Sequence, residues 1–210
     1  MDYFFAGIFP ERGVRAIQRI RRRYDPTVTV VDPHITVLFP VPETVGEAEL
    51  LSHLEEVCAR RSSFEIELGG FHRSDDHWLF LTLSQGAQDI RSLYLDAYSG
   101  MLSKYRRDDI PFVPHVGLGL FVRGDEPYEM GNPDSAQFDD AAYGAALAEA
   151  NASEFGGSEL AGSLRVMKVP ATVMEWAAGR RPSIPAEARA EIVRTIRFKG
   201  GASYGPRSRI

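Results

Sequence analysis

The sequence predicts an α+β fold of two pseudo-symmetric lobes, in which antiparallel sheets line a central cleft and helices lie on the outside. Segments with helical periodicity alternate with β-branched, apolar segments in both halves of the chain. The turn between the predicted strands at 64–68 and 78–83 is too short for a crossover helix, which favours antiparallel pairing. Residues 1–200 are expected to form one bilobal domain, and residues 201–210 a flexible tail.

The first half of the chain contains most of the strand signals. The predicted elements are a strand at 3–9, a helix that starts after Pro10, strand-like stretches at 27–31 and 34–39, a helix at 50–58, and strands at 64–68 and 78–83. Proline at positions 33, 40 and 42 marks the boundaries of the strand at 34–39.

The second half repeats this order weakly. The predicted elements are a helix at 90–101, a strand at 112–122, a loop at 124–137, an alanine-rich helix at 138–150, and strands at 164–176 and 192–198. The resemblance between the halves is therefore one of element order, with no short-period repeat.

Composition indicates an ordinary globular protein, since 44% of the residues are hydrophobic and 25% are charged. The formal net charge of -5 argues against a protein that coats nucleic acid by bulk electrostatics. Cys58 is the only cysteine, which excludes an intramolecular disulfide and a cysteine zinc cluster, and its apolar stripe predicts a buried thiol. The first residues lack the features of a signal peptide and no apolar run is long enough to span a membrane, so a cytoplasmic protein is expected. A monomer is also expected.

Six arginines lie between Arg12 and Arg23. Val14, Ile17 and Ile20 recur there at helical spacing, so the arginines are interpreted as the solvated face of a helix. A contact with an RNA backbone is the alternative interpretation.

Two stretches, at 31–39 and 112–120, echo each other. Each reads Pro-His-apolar-small-apolar, around His34 in the first and His115 in the second. Side chains at i and i+2 of a strand point to the same face, so His34 is expected to project with Thr36, and His115 with Gly117. The proline before each histidine cannot donate to a sheet ladder, which is typical of a strand that starts at the rim of a cleft.

A single histidine on a strand is more often a structural residue than a catalytic one. Two in matching contexts favour a different interpretation, because equivalent positions of two similar lobes face each other. His34 and His115 could then act on one phosphate, one imidazole taking a proton from the attacking oxygen and the other giving one to the leaving oxygen. Such chemistry requires no metal and no cofactor.

The chain resembles the two-histidine phosphoesterase superfamily, in particular its 2'-5' RNA ligase-like, RNA 2',3'-cyclic phosphodiesterase group. That family has one His-x-Thr/Ser-x motif in each lobe; His34-Ile35-Thr36-Val37 matches fully and His115-Val116-Gly117-Leu118 in part. The resemblance implies hydrolysis of 2',3'-cyclic phosphate ends of RNA, or of a related nucleotide cyclic phosphate, with a reverse 2'-5' ligation. It also implies that the hydroxyl of Thr36 binds the phosphate.

Gly117 departs from the family pattern because it has no hydroxyl. A backbone amide or a water could replace the missing group, or the pocket could be wider for a larger substrate. A degenerate member that binds RNA or nucleotides without cleaving them therefore stays open as an alternative.

Other polar and aromatic residues are weaker candidates. Phe39, Tyr3 and Phe5 could stack on a base, and Arg123 could reach a phosphate or a base. The segment 72–77 contains two histidines and two aspartates, which could hold the metal of a metallohydrolase, but a solvated hairpin loop is the plainer interpretation.

Overall fold

The computed structural model describes residues 1–124 and 127–200; the tail predicted at 201–210 lies outside this part of the chain. The strands are β1 Tyr3–Ile8, β2 Ile35–Pro42, β3 Phe64–Arg73, β4 Trp78–Gln85, β5 Val116–Leu120, β6 Glu159–Ala161, β7 Ser163–Val169 and β8 Glu191–Arg197. The α-helices are α1 Val14–Tyr24, α2 Glu47–Ala59, α3 Ala87–Ala97, α4 Asp140–Asn151 and α5 Ala171–Ala177. None of these helices has the length and apolar character that crossing a membrane requires.

The eight strands form one curled sheet in the order β6-β3-β4-β5-β2-β1-β7-β8, and the named neighbours pair antiparallel. The α+β prediction is confirmed. The sheets of the two halves, four strands each, join edge to edge where β2 meets β5, at the single pair Ile35 and Val116. The two strands that follow the histidines therefore lie side by side at the centre of the sheet.

Helices α1 to α4 cover one side of the sheet, which we call the helix face. Alternate residues of the strands point into the core there, as Phe4, Ala6 and Ile8 of β1 do. Each of the four helices contributes its apolar stripe, for example Ile17 and Ile20 of α1. The largest cluster of buried hydrophobic residues lies on this side of the sheet.

The opposite side carries His34 and His115, and we call it the histidine face. Helix α5 packs on part of it, where Val173 lies against Phe5 and Met167. A second cluster joins Trp78 of β4 to Trp176 of α5. Part of the histidine face is thus covered, and both histidines remain partly exposed.

One predicted strand is wrong, and another is too long. The β-branched stretch at 27–31 forms turns, because Asp25 accepts hydrogen bonds from the backbone N–H and the hydroxyl of Thr27, both at 2.7 Å, and is itself paired with Arg21 at 2.6 Å. The strand predicted at 164–176 ends at Val169, and Pro170 starts helix α5. Local side-chain chemistry outweighs strand propensity in the first case, and proline interrupts the strand in the second.

Candidate active site

A proline precedes each histidine and helps to orient it. The residue before a proline is restricted to extended backbone, which fixes the direction of its carbonyl. Nδ1 of His34 lies 2.9 Å from the carbonyl oxygen of Asp32, and Nδ1 of His115 lies 2.6 Å from that of Val113. Because a carbonyl only accepts, Nδ1 carries the proton in both rings and Nε2 is left for a ligand.

The register of β2 and β5 places four functional residues at the corners of a square. In an antiparallel pair, the residue before the paired position on one strand lies opposite the residue after it on the other. His34 therefore lies opposite Gly117, and Thr36 opposite His115, on the same face and with Cα atoms about 5 Å apart. The two imidazoles occupy diagonal corners, and the other two corners hold one hydroxyl and one glycine.

Aromatic rings hold both imidazoles in place. Phe80 of β4 stacks on His115 with ring centroids 3.4 Å apart and an interplanar angle of 15°. Phe9 stacks on His34 at 5.4 Å, and Phe5 contacts the same ring at 5.2 Å. These contacts restrict each ring to one orientation, as proton transfer at a fixed position requires.

Burial lowers the pKa of both histidines from 6.5 to about 4. The hydrogen bond to the carbonyl of Asp32 opposes this for His34, and that of Val113 does so for His115. The charged form of His34 further lowers the pKa of His115, which shows that the rings share one electrostatic environment. Both imidazoles are therefore neutral near pH 7 when no anion is bound.

Glycine is required at position 7, on the strand beside the site, whereas position 117 has space around it. A Cβ at Gly7 of β1 would lie 2.9 Å from the carbonyl oxygen of Ile35 and 3.4 Å from Cδ2 of His34, so a side chain there would displace the histidine strand. A Cβ at Gly117 would meet only the ring of Trp78, at 3.7 Å, which is an ordinary contact. The backbone therefore leaves room for a Cβ at position 117.

The structure brings His34, Thr36, His115 and Gly117 together, with Phe5 against His34, and places Phe39, Tyr3 and Arg123 elsewhere. The backbone N–H of Phe39 donates to the hydroxyl of Tyr98, and its ring meets Phe112 edge-on at 6.3 Å. Tyr3 lies at the far end of β1, packed near α5.

Arg123 is exposed beyond the end of β5, where its N–H donates to the carbonyl of Gln137. For Tyr3, Phe39 and Arg123, a role in substrate binding stays a prediction.

Sequence reasoning missed Phe9, Phe80 and Arg165, which lie on the histidine face beside the site. The pairing of β4 with β5 brings Phe80 beside the site, and the pairing of β7 with β1 brings Arg165 there. The only signal in the sequence was the alternation within each strand, which gives the face but not the neighbour.

The arginine-rich segment lies on helix α1, which packs on the helix face. Arg19 and Arg23 both pair with Glu149, at 3.2 and 2.8 Å, and Arg21 is buried against Asp25. Half of these arginines are therefore engaged within the fold, on the side of the sheet away from the imidazoles.

The loop at 72–77 is less solvated than predicted. His77 is buried, with a positive φ of 74°, and its Nε2 lies 3.0 Å from the carbonyl oxygen of Pro133. Asp76 accepts from the hydroxyl of Tyr128 at 2.9 Å. In the described parts of the chain, no group of three or more histidine, cysteine or acidic side chains is arranged to hold a metal ion.

A family model described as the 2'-5' RNA ligase superfamily matches residues 9–131, which include both histidine motifs. The chain belongs to this superfamily. Its architecture and its paired histidines are those of the two-histidine phosphoesterases.

Known proteins similar to the chain support the same class. A Bacillus licheniformis protein named "Putative phosphoesterase" is 24% identical over 122 residues, which is 57% of this chain and 71% of that protein. E. coli LigT, in complexes with NADP+ and with 3'-AMP, has TM-scores of 0.58 and 0.57 at 14% identity, over 94% of this chain and 98% of LigT. The protein TT0787 of Thermus thermophilus has a TM-score of 0.56 at 14% identity, over 95% of this chain and all of that one. The two structural similarities establish the fold.

Proposed function

We propose that the protein is a phosphoesterase that opens 2',3'-cyclic phosphate ends of RNA, or a related nucleotide cyclic phosphate, by acid-base catalysis with His34 and His115. The observation that carries the proposal is the matched state of the two rings. Each donates from Nδ1 to a carbonyl two residues earlier, which leaves Nε2 of each ring as the acceptor for a ligand. A structural histidine gains nothing from this symmetry, whereas a proton donor and a proton acceptor on one phosphate require it.

The reaction is a single displacement at phosphorus. Neutral Nε2 of one histidine takes a proton from water, whose oxygen forms a bond to phosphorus. The bond from phosphorus to the 2' or the 3' oxygen breaks, and that oxygen receives the proton from Nε2–H of the other, protonated histidine. The product is a phosphomonoester with a free neighbouring hydroxyl, and the two rings have exchanged protonation states. The same steps with a ribose hydroxyl of a second RNA end in place of water would join the two ends: its oxygen forms the bond to phosphorus, and one bond of the cyclic phosphate breaks.

The substrate supplies the charge that the mechanism requires. Since both imidazoles have a pKa of about 4, neither carries a proton on Nε2 near neutrality before the substrate binds. A phosphodiester anion between the rings favours the charged form of one of them and raises its pKa. Proton uptake should therefore accompany substrate binding, and the hydroxyl of Thr36 would share the stabilisation of the phosphate.

A binding protein without catalytic activity is the second candidate, because Gly117 removes one of two expected hydroxyl donors. The loss of one hydrogen bond to a charged group is worth roughly 1.5 to 3 kcal/mol, or about ten- to a hundredfold in rate. This loss is smaller than the contribution expected from two intact imidazoles. The catalytic proposal is therefore favoured.

The test is a panel of nucleoside 2',3'-cyclic phosphates, short RNAs with cyclic phosphate ends and 2'-5'-linked dinucleotides, assayed with and without EDTA. We expect turnover of the cyclic phosphates that survives chelation, because two imidazoles supply the proton transfers that metal-bound water would otherwise supply. Loss of activity in EDTA that returns with zinc or manganese would contradict the mechanism. Tight binding without turnover of any substrate would support the second candidate.

A further inference from the structure

The row of side chains that contains Thr36 continues across the histidine face to Arg165. Gly7 of β1 pairs with Thr36 of β2 on one side and with Arg165 of β7 on the other. Neighbouring strands are about 4.8 Å apart, so the Cα atoms of Thr36 and Arg165 are separated by roughly 10 Å. Since Gly7 has no side chain, nothing from β1 stands between them in this row.

The guanidinium of Arg165 leans toward the site. Its central carbon lies 4.8 Å from the centroid of the Phe9 ring, which stacks on His34. Arg165 is partly buried, and among the described residues it has no acidic side chain within salt-bridge distance. A half-buried cation with no anion of its own is suited to an anionic ligand.

Polar groups continue from Arg165 to the edge of the sheet. On β8, Thr195 pairs with Arg165, and Arg197 pairs with Ser163 of β7; both β8 residues are exposed. Two guanidinium and two hydroxyl groups thus lie side by side on adjacent strands. They form a path that leads outward from His34.

We propose that Arg165 forms a second phosphate subsite, which binds the phosphate on the 5' side of the nucleotide whose cyclic phosphate reacts. The assignment rests on the proposed function, since it places the reacting phosphate between the imidazoles. Arg165 lies two strands away from Thr36, with its guanidinium against Phe9, so we assign it the next phosphate of an RNA chain and leave the reacting phosphate to His34, Thr36 and His115. The RNA would then leave the site over β7 and β8, and its terminal nucleoside would lie toward Phe80.

The test compares the binding of adenosine 3'-phosphate and adenosine 3',5'-bisphosphate by calorimetry, which requires no turnover. The wild-type chain should bind the bisphosphate roughly tenfold more tightly. Arg165→Gln should remove most of this preference and change the affinity for the monophosphate by less than about twofold. Arg165→Lys should keep part of the preference, because it retains the charge without the planar guanidinium.

Arg194→Gln is the matched control, because Arg194 is exposed on β8 but pairs with Val166 of the helix-face core. It should leave the preference unchanged, and thermal unfolding should show that each variant folds. Equal weakening of both ligands by Arg165→Gln, or no wild-type preference for the bisphosphate, would overturn the subsite. If the preference is present and no cyclic phosphate is cleaved, the subsite stands and the proposed function fails.

Discussion

Each half of the sheet holds one histidine of the candidate active site, and the surroundings of the two imidazoles differ. Next to His34 on its strand is Thr36, which pairs with Gly7 on the neighbouring strand; the equivalent positions beside His115 are Gly117 and Phe80. The half with His34 therefore has a hydroxyl group next to a glycine of the neighbouring strand. The half with His115 has a glycine next to an aromatic ring of the neighbouring strand. The common element supports proton transfer, and the differences indicate which part of the substrate each half contacts.

The difference extends to the third strand of each half. Arg165 pairs with Gly7, and His72 pairs with Phe80, so arginine and histidine occupy equivalent positions. A permanently charged group on one side and an aromatic, titratable one on the other would orient an asymmetric substrate, with phosphate toward Arg165 and nucleoside toward Phe80.

The largest effect is expected from replacing the histidines, which both halves of the sheet have in common. His34→Ala and His115→Ala should each lower kcat by roughly a hundred- to ten-thousandfold, because each removes one proton transfer. The double variant should lose much less than the product of the two, since the residues act as a unit. Steady-state kinetics on a nucleoside 2',3'-cyclic phosphate measures this.

His53→Gln is the control for these variants. His53 also contacts a backbone carbonyl, that of Ala97 at 2.9 Å, but it lies on α2 at the helix face, so its replacement should leave kcat nearly unchanged. Full activity in both His34→Ala and His115→Ala would show that the two-histidine mechanism is wrong for this protein.

Removing the hydroxyl at position 36, or adding one at position 117, tests the difference between the halves. Thr36→Gly should lower turnover about ten- to a hundredfold through the lost phosphate contact. A Cβ at position 117 meets only the Trp78 ring, in ordinary contact, so Gly117→Thr should raise turnover on small cyclic phosphates if the glycine is merely a lost donor. A decrease confined to longer RNA substrates would show instead that the glycine makes room for the substrate. If neither variant changes turnover, the hydroxyl has no role.

Local patterns were sufficient to predict the class of fold and the central pair. Alternation and helical periodicity located most strands and helices, and the matching Pro-His contexts identified His34 and His115. The turn at 27–31 was mistaken for a strand because its β-branched residues have strand propensity. Its real determinant, the buried pair of Arg21 and Asp25, depends on tertiary burial.

The neighbours of the histidines could not be predicted in this way. Arg165 lies far from both motifs in the sequence and reaches the site through the pairing of β7 with β1. A sequence gives the face of a strand by its period of two, but strand order and register decide which side chains meet. The low pKa of the imidazoles was hidden for the same reason, since it results from burial against Phe5, Phe9 and Phe80.

The pH dependence of catalysis tests whether one proton is held between the two imidazoles, one in each half of the sheet. The reactive free enzyme has one neutral and one protonated imidazole, and both have a pKa of about 4. Thus kcat/KM should peak near pH 4 to 5 and fall about tenfold per pH unit above it. The profile of kcat should lie at higher pH, because the bound phosphate raises the pKa. A kcat/KM that is constant between pH 5 and 8 would exclude a proton held by this pair.

The smallest effect concerns folding stability, and its sign follows from the same pKa values. A histidine in the unfolded chain has a pKa of about 6.5, whereas His34 and His115 in the fold have a pKa of about 4. Between these values the unfolded state binds more protons, so the free energy of unfolding should fall as the pH decreases from 6.5 to 4. Allowing for partial exposure, each ring should contribute roughly 1 kcal/mol to the loss at pH 5. Urea unfolding at pH 7 and pH 5 should show a smaller difference in the free energy of unfolding for the His34→Gln, His115→Gln double variant than for the wild type. If the double variant and the wild type lose the same free energy of unfolding between pH 7 and pH 5, the two imidazoles are hydrated in the folded protein and have ordinary pKa values.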